Sequence, residues 1–312
     1  MGFDLVCLGE PMLEFNQQPA LLDGSRLYLE GHVGDASNLA IAAARQGVSV
    51  AMATALGADP AGDSFLALWA REGVDASTVR RDPSRPTAVY FVRHIAAGHE
   101  FEFHRTGSAA SAYGPGDLPA QVLAESRMIC ASGISLGISA SAADAVLEAI
   151  GIARAHGARI AIDTNYRPRL WPAPRAAAVI HTAAAMAEIV LPTLDDAVAL
   201  TGLAEPHAIL DFYLRLGARL VALKLGPAGA WVATPERRAA VSAHPCEVVD
   251  ATGAGDAFGG ALLARLLFGD EPEQAARYAA CAAALSTEGY GAVAPIPRAE
   301  AVLAALRQRA AA

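Results

Sequence analysis

Short, almost wholly apolar runs alternate along this chain with longer stretches in which apolar residues recur every three or four positions. The short runs are "FDLVCLG" (3–9), "VSVAMATALG" (48–57), "RMICASG" (127–133), "ARIAIDTN" (158–165), "EIVLP" (188–192) and "RLVALKLG" (219–226). Apolar runs of this length without polar alternation predict strands buried on both faces. The longer stretches predict helices. One spans 37–47, with Asp35 or Ser37 as its N-cap and Gly47 at its end; one spans 62–72 and closes at Gly73; others cover 141–157 and 272–288, and one starts near Asp256. Strand and helix in alternation imply crossover connections and a mostly parallel sheet covered on both faces. Residues 86–105, "PTAVYFVRHIAAGHEFEFHR", break the rhythm with two alternating strands around an "AAGH" turn, a β-hairpin. A second extended piece, about 12–33, also lacks helical periodicity. Together these predict a small sheet attached to a large α/β body.

Composition narrows the function classes. In 312 residues, 54% are hydrophobic and 18% charged, enough to bury a large core and to exclude general disorder. The length suits a single large α/β unit. A formal charge of -8 with no basic block argues against nucleic acid or an anionic membrane as partner. No apolar run reaches the ~18 residues of a membrane span. The opening "MGFDLVCLGEP" lacks the pattern of a signal peptide. Cys7, Cys130, Cys246 and Cys281 stand far apart with no C-x-x-C pair. Reduced, buried thiols and a cytoplasmic location are the expectation.

The chemistry concentrates in "VVDATGAGDAFGG" (248–260), where Asp250 and Asp256 bracket a run of small residues ahead of an apolar helix. A Walker A loop would carry Lys and Ser/Thr after its last glycine, but Gly255 is followed by Asp256 and Ala257. A dinucleotide fingerprint would need Gly or Ala where Phe258 stands, which disfavours a Rossmann dehydrogenase. Successive N–H groups over Thr252–Gly255 at a helix start form an anion-binding concavity. A carboxylate there repels the anion, so its use is to take a proton from a nucleophile that attacks it. That is the arrangement of a hydroxyl kinase. A tight turn with Asp256 as a mere helix cap is the bland reading of the same residues.

"DATGAGDAF" resembles the D-T-x-G-A-G-D signature of the PfkB, or ribokinase-like, carbohydrate kinases. The likeness runs along nearly the whole chain, through "LGEPMLEF", "GDASNLAIAAARQG" and "VALKLGPAGAWV", and the hairpin falls where that family has its β-lid. "HRTGSAAS" (104–111), "ASGISLGIS" (131–139) and "DTNYRPRLW" (163–171) are most similar to 2-keto-3-deoxygluconate kinases. The resemblance implies one three-layer α/β/α ribokinase-like domain over 1–312, with lid segments about 12–33 and 86–105. It also implies ATP and Mg2+ as cofactors, and a homodimer or higher oligomer formed through the lid.

By resemblance, Asp256 is the base and Gly253, Ala254 and Gly255 form the anion hole. Gly34, Asp35, Asn38, Tyr90, Phe103, Arg105 and Arg167 hold the sugar. Asn165, Arg167, Thr193, Lys224, Gly226, Gly229, Thr252, Gly253, Gly255 and Ser286 line the nucleotide, and Asp196 holds magnesium through a water. Three departures stand out. The family's Gly-Gly reads Val33-Gly34, its Asn-x-x-Glu reads Thr193-Leu194-Asp195-Asp196, and a lid tyrosine expected in keto-deoxygluconate kinases is Phe103, followed by His104. The alternatives are a kinase of a neutral sugar such as fructose, a nucleoside kinase, or a sugar-binding regulator without catalysis. An intact Asp256 argues against the last, since a binder needs no base.

Overall fold

A computed structural model describes residues 2–18, 25–95 and 98–311. Its main sheet has nine strands in the order Arg238–Val241, Ala230–Ala233, Leu220–Lys224, Ile189–Leu191, Arg159–Asp163, Met128–Ser132, Leu5–Leu8, Val50–Ala53 and Val74–Asp75. All neighbouring pairs are parallel except the two at the Arg238–Val241 edge. The inner parallel strands are buried along their length, as their unbroken apolar runs predict, except at Arg159, which is half-buried at the start of its strand. Along Leu5–Leu8, Leu5 and Cys7 join the core on one face while Val6 and Leu8 join the core on the other. Helices Asp35–Arg45, Pro60–Glu72, Ala254–Phe268, Pro272–Ser286 and Ala299–Ala311 cover the first face. Helices Ala140–Ala155, Ala173–Ala185 and Pro206–Leu216 lie on the second.

Several element boundaries differ from expectation for local reasons. The first long helix is capped by Gly34, not by Asp35 or Ser37, and runs Asp35–Arg45. No side chain caps it, because the Asp35 and Ser37 side chains bond elsewhere, Asp35 to Asn165 and Ser37 to the Trp69 indole. The run 48–57 is two strands, Val50–Ala53 in the main sheet and Ala55–Gly57 paired with Arg80–Asp82. The helix over 62–72 begins earlier, at Pro60, where Asp59 accepts the Gly62 N–H and proline suits the first turn; Gly73 ends it with φ 73°. The last predicted helix stops at Ser286, two residues early.

The second sheet has four strands in the order Leu27–Val33, Met12–Gln18, Ala88–Ile95 and Gly98–His104. It contains the predicted hairpin, whose turn residues Ala96 and Ala97 lie outside the described residues. Met12, Val33, Ala88, Tyr90 and Val92 cluster with Ala292, so this lid is anchored to the body at one end. Val33 keeps an ordinary extended conformation as the last residue of its strand. The left-handed demand falls wholly on Gly34, with φ 135°, where a Cβ would lie 2.5 Å from the Glu10 carbonyl oxygen.

Candidate active site

The two aspartates of the glycine loop have different tasks. Asp250 organises the turn: one carboxylate oxygen accepts from the Thr252 N–H (2.9 Å) and hydroxyl (2.6 Å), the other from the Gly291 N–H (2.9 Å). Partial burial alone would raise its pKa, but these bonds outweigh that and hold it below its ordinary value. Gly253 takes φ 77° and caps the helix Ala254–Phe268, which therefore begins two residues before Asp256. The Ala254 N–H turns back to the Ala251 carbonyl (3.2 Å) and that of Ala257 bonds Gly253 (2.9 Å). The N–H groups of Gly253, Gly255 and Asp256 make no hydrogen bond among the described residues. They leave an open donor cluster at the positive end of the helix, and this corrects the expected anion hole: the Ala254 and Thr252 N–H groups are used inside the turn, and that of Asp256 is open instead.

Asp256 sits in the first turn of that helix, facing Asn38 on helix Asp35–Arg45. Gly259 and Gly260 allow the two helices to touch. A methyl group at Gly260 would overlap the Leu39 carbonyl oxygen and lie 2.6 Å from the Ala42 Cβ; one at Gly259 would meet the Leu39 side chain at 2.9 Å. This close approach brings the Asn38 amide within 2.8 Å of an Asp256 carboxylate oxygen, to which it donates. Asp256 lies deep in the cleft with part of its surface still open. Burial pushes its pKa up to about 7, the nearby Asp35 charge adds to the rise, and the Asn38 bond partly offsets it.

Asp35 and Asn38 are buried, and each has a carboxylate or amide oxygen (Oδ1) with no partner. Native proteins rarely leave such acceptors unpaired. Both belong to the helix that faces Asp256. The other Asp35 oxygen accepts from the Asn165 amide at 2.8 Å. Neither residue caps its helix, because Asp35 is bonded by Asn165 and the Asn38 amide is given to Asp256.

The ends of neighbouring strands complete the wall. Lys224 is buried, not solvated, and donates to an Asp163 oxygen at 2.6 Å. A Cβ on Gly255 would lie 3.7 Å from its ammonium nitrogen, which places that charge beside the glycine loop. Asn165 has φ 24°, the single left-handed residue other than glycine among the described residues. Thr193 caps helix Leu194–Thr201 and accepts the Asp196 N–H; the Asp196 carboxylate in turn accepts from the Thr164 hydroxyl at 3.1 Å. Gly226 and Gly229 both take positive φ, and a Cβ at Gly229 would overlap the Val241 carbonyl. Ser286 is buried, with its hydroxyl bonded to the Ala283 carbonyl at 2.8 Å.

The two arginines expected to hold the sugar stand in different surroundings. Arg105 is paired with Glu10, which is fully buried and also accepts from Ser108. Arg167 is exposed and donates to the Tyr166 carbonyl at 3.0 Å, with no acidic partner among the described residues. Tyr90 bonds Glu14 on the neighbouring strand and stacks on its cross-strand partner Phe103, ring centroids 5.2 Å apart. Sequence reasoning missed Glu10, Glu14 and Asp163. All three stood inside quoted motifs, Glu10 and Glu14 in "LGEPMLEF" and Asp163 in "DTNYRPRLW", but their partners lie 95, 76 and 61 residues away and nothing local marks the pairing.

The arrangement offers a base, open N–H donors for an anion and unpartnered acceptors for hydroxyls. Residues 6–299 match the pfkB family of carbohydrate kinases. A 2-dehydro-3-deoxygluconokinase of Thermoproteus tenax is 35% identical over 314 residues, covering 97% of this chain and 94% of its own. The crystal structure of a PfkB protein from Polaromonas sp. JS666 superposes with a TM-score of 0.87 at 32% identity, covering 96% of this chain and 99% of that one. A fructokinase from Xylella fastidiosa, crystallised with bound ATP, gives 0.90 at 25% identity over 98% of each chain. The ribokinase-like fold expected from the sequence is therefore correct, and this chain belongs to the pfkB family of carbohydrate kinases.

Proposed function

We propose that the protein uses ATP to phosphorylate a hydroxyl of a small sugar acid, most favourably 2-keto-3-deoxygluconate (2-dehydro-3-deoxygluconate), to its 6-phosphate. The observation that carries this reading is the meeting of three features in one cleft. These are Asp256 with its raised pKa, the open N–H groups at its helix start, and the unpartnered oxygens of Asp35 and Asn38. Sugar hydroxyls donate to Asp35 and Asn38. The attacking hydroxyl gives its proton to Asp256, and the N–H groups of Gly253, Gly255 and Asp256 hold the developing phosphoryl charge. Lys224 adds positive charge beside the same loop, while Thr252, Gly226, Gly229, Thr193 and Ser286 border the nucleotide.

No group of three or more His, Cys, Asp or Glu among the described residues is arranged to hold a metal ion. In this reading magnesium arrives with the phosphates, whose charge it neutralises when bound, and Asp196 reaches it through water. Arg167, exposed and free of a carboxylate partner, receives the sugar acid's carboxylate.

One observation favours a second reading. Glu10 already neutralises Arg105, so the lid arm presents no net charge there, and a neutral sugar such as fructose fits that arm as well. A coupled ADP-release assay across keto-deoxy sugar acids, hexoses and nucleosides separates the two. Fructose preferred over 2-keto-3-deoxygluconate would replace the first reading with the second.

We place the enzyme in the cytoplasm on its free thiols, three of them buried and Cys246 half-buried. No helix among the described residues is long and apolar enough to cross a membrane. We take its oligomer to form through the lid. Leu27, Leu29, Phe101 and Phe103 share one lid face by strand register and are 45%, 60%, 40% and 39% exposed, an apolar face that suits a second copy.

A further inference from the structure

Asp163 belongs to no part of the reaction described so far, yet it is 4% exposed and uses both carboxylate oxygens. One accepts from the Lys224 ammonium at 2.6 Å; the other accepts from the backbone N–H of Asn165 at 3.2 Å. The second bond closes an Asx-type turn of two residues and supports the Asn165 backbone at φ 24°, a conformation that a non-glycine residue holds only when its surroundings impose it. The Asn165 side chain then donates to Asp35 at 2.8 Å. One polar chain thus runs Lys224–Asp163–Asn165–Asp35, from the edge of the glycine loop to the acceptor that faces the sugar. Burial pushes the Asp163 carboxyl up and the Lys224 ammonium opposes that rise.

We propose that Asp163 and Lys224 are a positioning pair: through the strained Asn165 they hold Asp35 in the geometry that binds the sugar. Neither needs to touch the sugar for this. Asn165 donates to one Asp35 oxygen, which leaves the unpartnered oxygen aimed by elimination at the ligand. Without the pair, the turn at Asn165 loses the bond that supports it, and Asp35 loses the donor that fixes its rotamer. A misplacement of a substrate-holding group by about 1 Å is enough to cost on the order of a hundredfold. The inference rests on the functional reading above.

The test removes the ion pair without leaving a lone buried charge. The double variant Asp163→Leu with Lys224→Met, which also takes away the acceptor for the Asn165 N–H, is compared with Asn165→Ala and with the triple variant. The first readout is the dissociation constant, measured without nucleotide, for whichever of 2-keto-3-deoxygluconate and fructose the wild type phosphorylates faster. The second is the melting temperature. Expected are a folded double variant, sugar binding weakened at least about tenfold, a similar loss for Asn165→Ala, and no further loss in the triple variant, because groups acting through one another are not additive. Sugar affinity unchanged in a folded double variant would show that the pair is structural only. Losses that multiply in the triple variant would show that it does not act through Asn165. Either result overturns the inference. If the double variant is unfolded, Asp163→Ala with Lys224→Met is measured under the same criteria, since it offers Asn165 no acceptor, leaves no lone charge and adds no volume. A wild-type enzyme that phosphorylates neither sugar overturns the functional reading itself, and this inference with it.

Discussion

At the scale of single residues, Asp256 exchanges stability for chemistry. A carboxyl whose pKa in the folded state lies above its unfolded value of roughly 3.9 adds stability below that value. The contribution is lost as pH rises through about 7. The empty enzyme at pH 8 therefore carries a buried charge that it would hold more cheaply as an amide. Asp256→Asn should raise the pH 8 stability by about 1–2 kcal/mol, discounted for the partial solvent access of the group, while turnover falls at least ~10²-fold. Denaturant titration and steady-state assays on one preparation check both; normal turnover would remove Asp256 as the base. The same carboxyl sets the pH profile. Below about 7 it is increasingly protonated, so kcat/KM should fall about tenfold per pH unit on the acid side. An acid limb centred near 4 would mean that the burial of the empty site does not govern the free enzyme. Gly255 is treated differently by sequence and structure. The glycine pattern suggests unusual dihedrals there, but the positive φ belongs to Gly253, and a Cβ on Gly255 meets only Lys224 at 3.7 Å. Gly255→Val should therefore leave the fold intact and weaken nucleotide use through crowding of the N–H cluster alone, read as a raised KM for ATP with an unchanged melting curve.

At the scale of elements, the site is made by two helices that lie unusually close. Gly259 and Gly260 remove the side chains that would otherwise separate Ala254–Phe268 from Asp35–Arg45. Gly260→Ala should push them apart, cost about 1–3 kcal/mol as overpacking does, and lengthen the Asn38–Asp256 hydrogen bond, so turnover falls although the substitution is remote from the loop. If turnover and stability both stay at wild-type values, the close contact is not what positions the base. The sequence made the strands legible because burial on both faces leaves no polar alternation, and the glycine loop legible because few other uses fit a carboxylate beside open N–H groups. It left helix starts uncertain. Asp35 and Ser37 are good capping residues, yet each is claimed by a partner far away in the chain, and Gly34 takes the cap instead. Glu10 and Asp163 were illegible for the same reason. A buried acid is recognisable only beside the cation it meets, and neither cation is near it in sequence.

At the scale of the whole molecule, charge pairing between lid and body decides which arginine can report on the substrate. Arg105 ends the lid hairpin and closes on Glu10, in the link between body strand Leu5–Leu8 and lid strand Met12–Gln18, so it serves the architecture whatever it does for the sugar. Removing it leaves a buried carboxylate without its cation, a change that typically costs about 3–5 kcal/mol. Arg105→Met should therefore lower the melting temperature and is a poor test of specificity. Arg167 stands exposed on the loop after strand Arg159–Asp163, without an acidic partner among the described residues, so its removal strands no charge. If it receives the sugar carboxylate, the contact is a charge-assisted hydrogen bond worth about 1.5–3 kcal/mol. Arg167→Met should then reduce kcat/KM for 2-keto-3-deoxygluconate by roughly tenfold to 150-fold relative to fructose, at an unchanged melting temperature. The relative measure matters, because an arginine that instead contacts the transferred phosphate would slow both sugars alike. Equal losses on the two sugars would assign Arg167 to the phosphate, and the preference for an acid would then have no charged group left to carry it except an Arg105 already neutralised by Glu10.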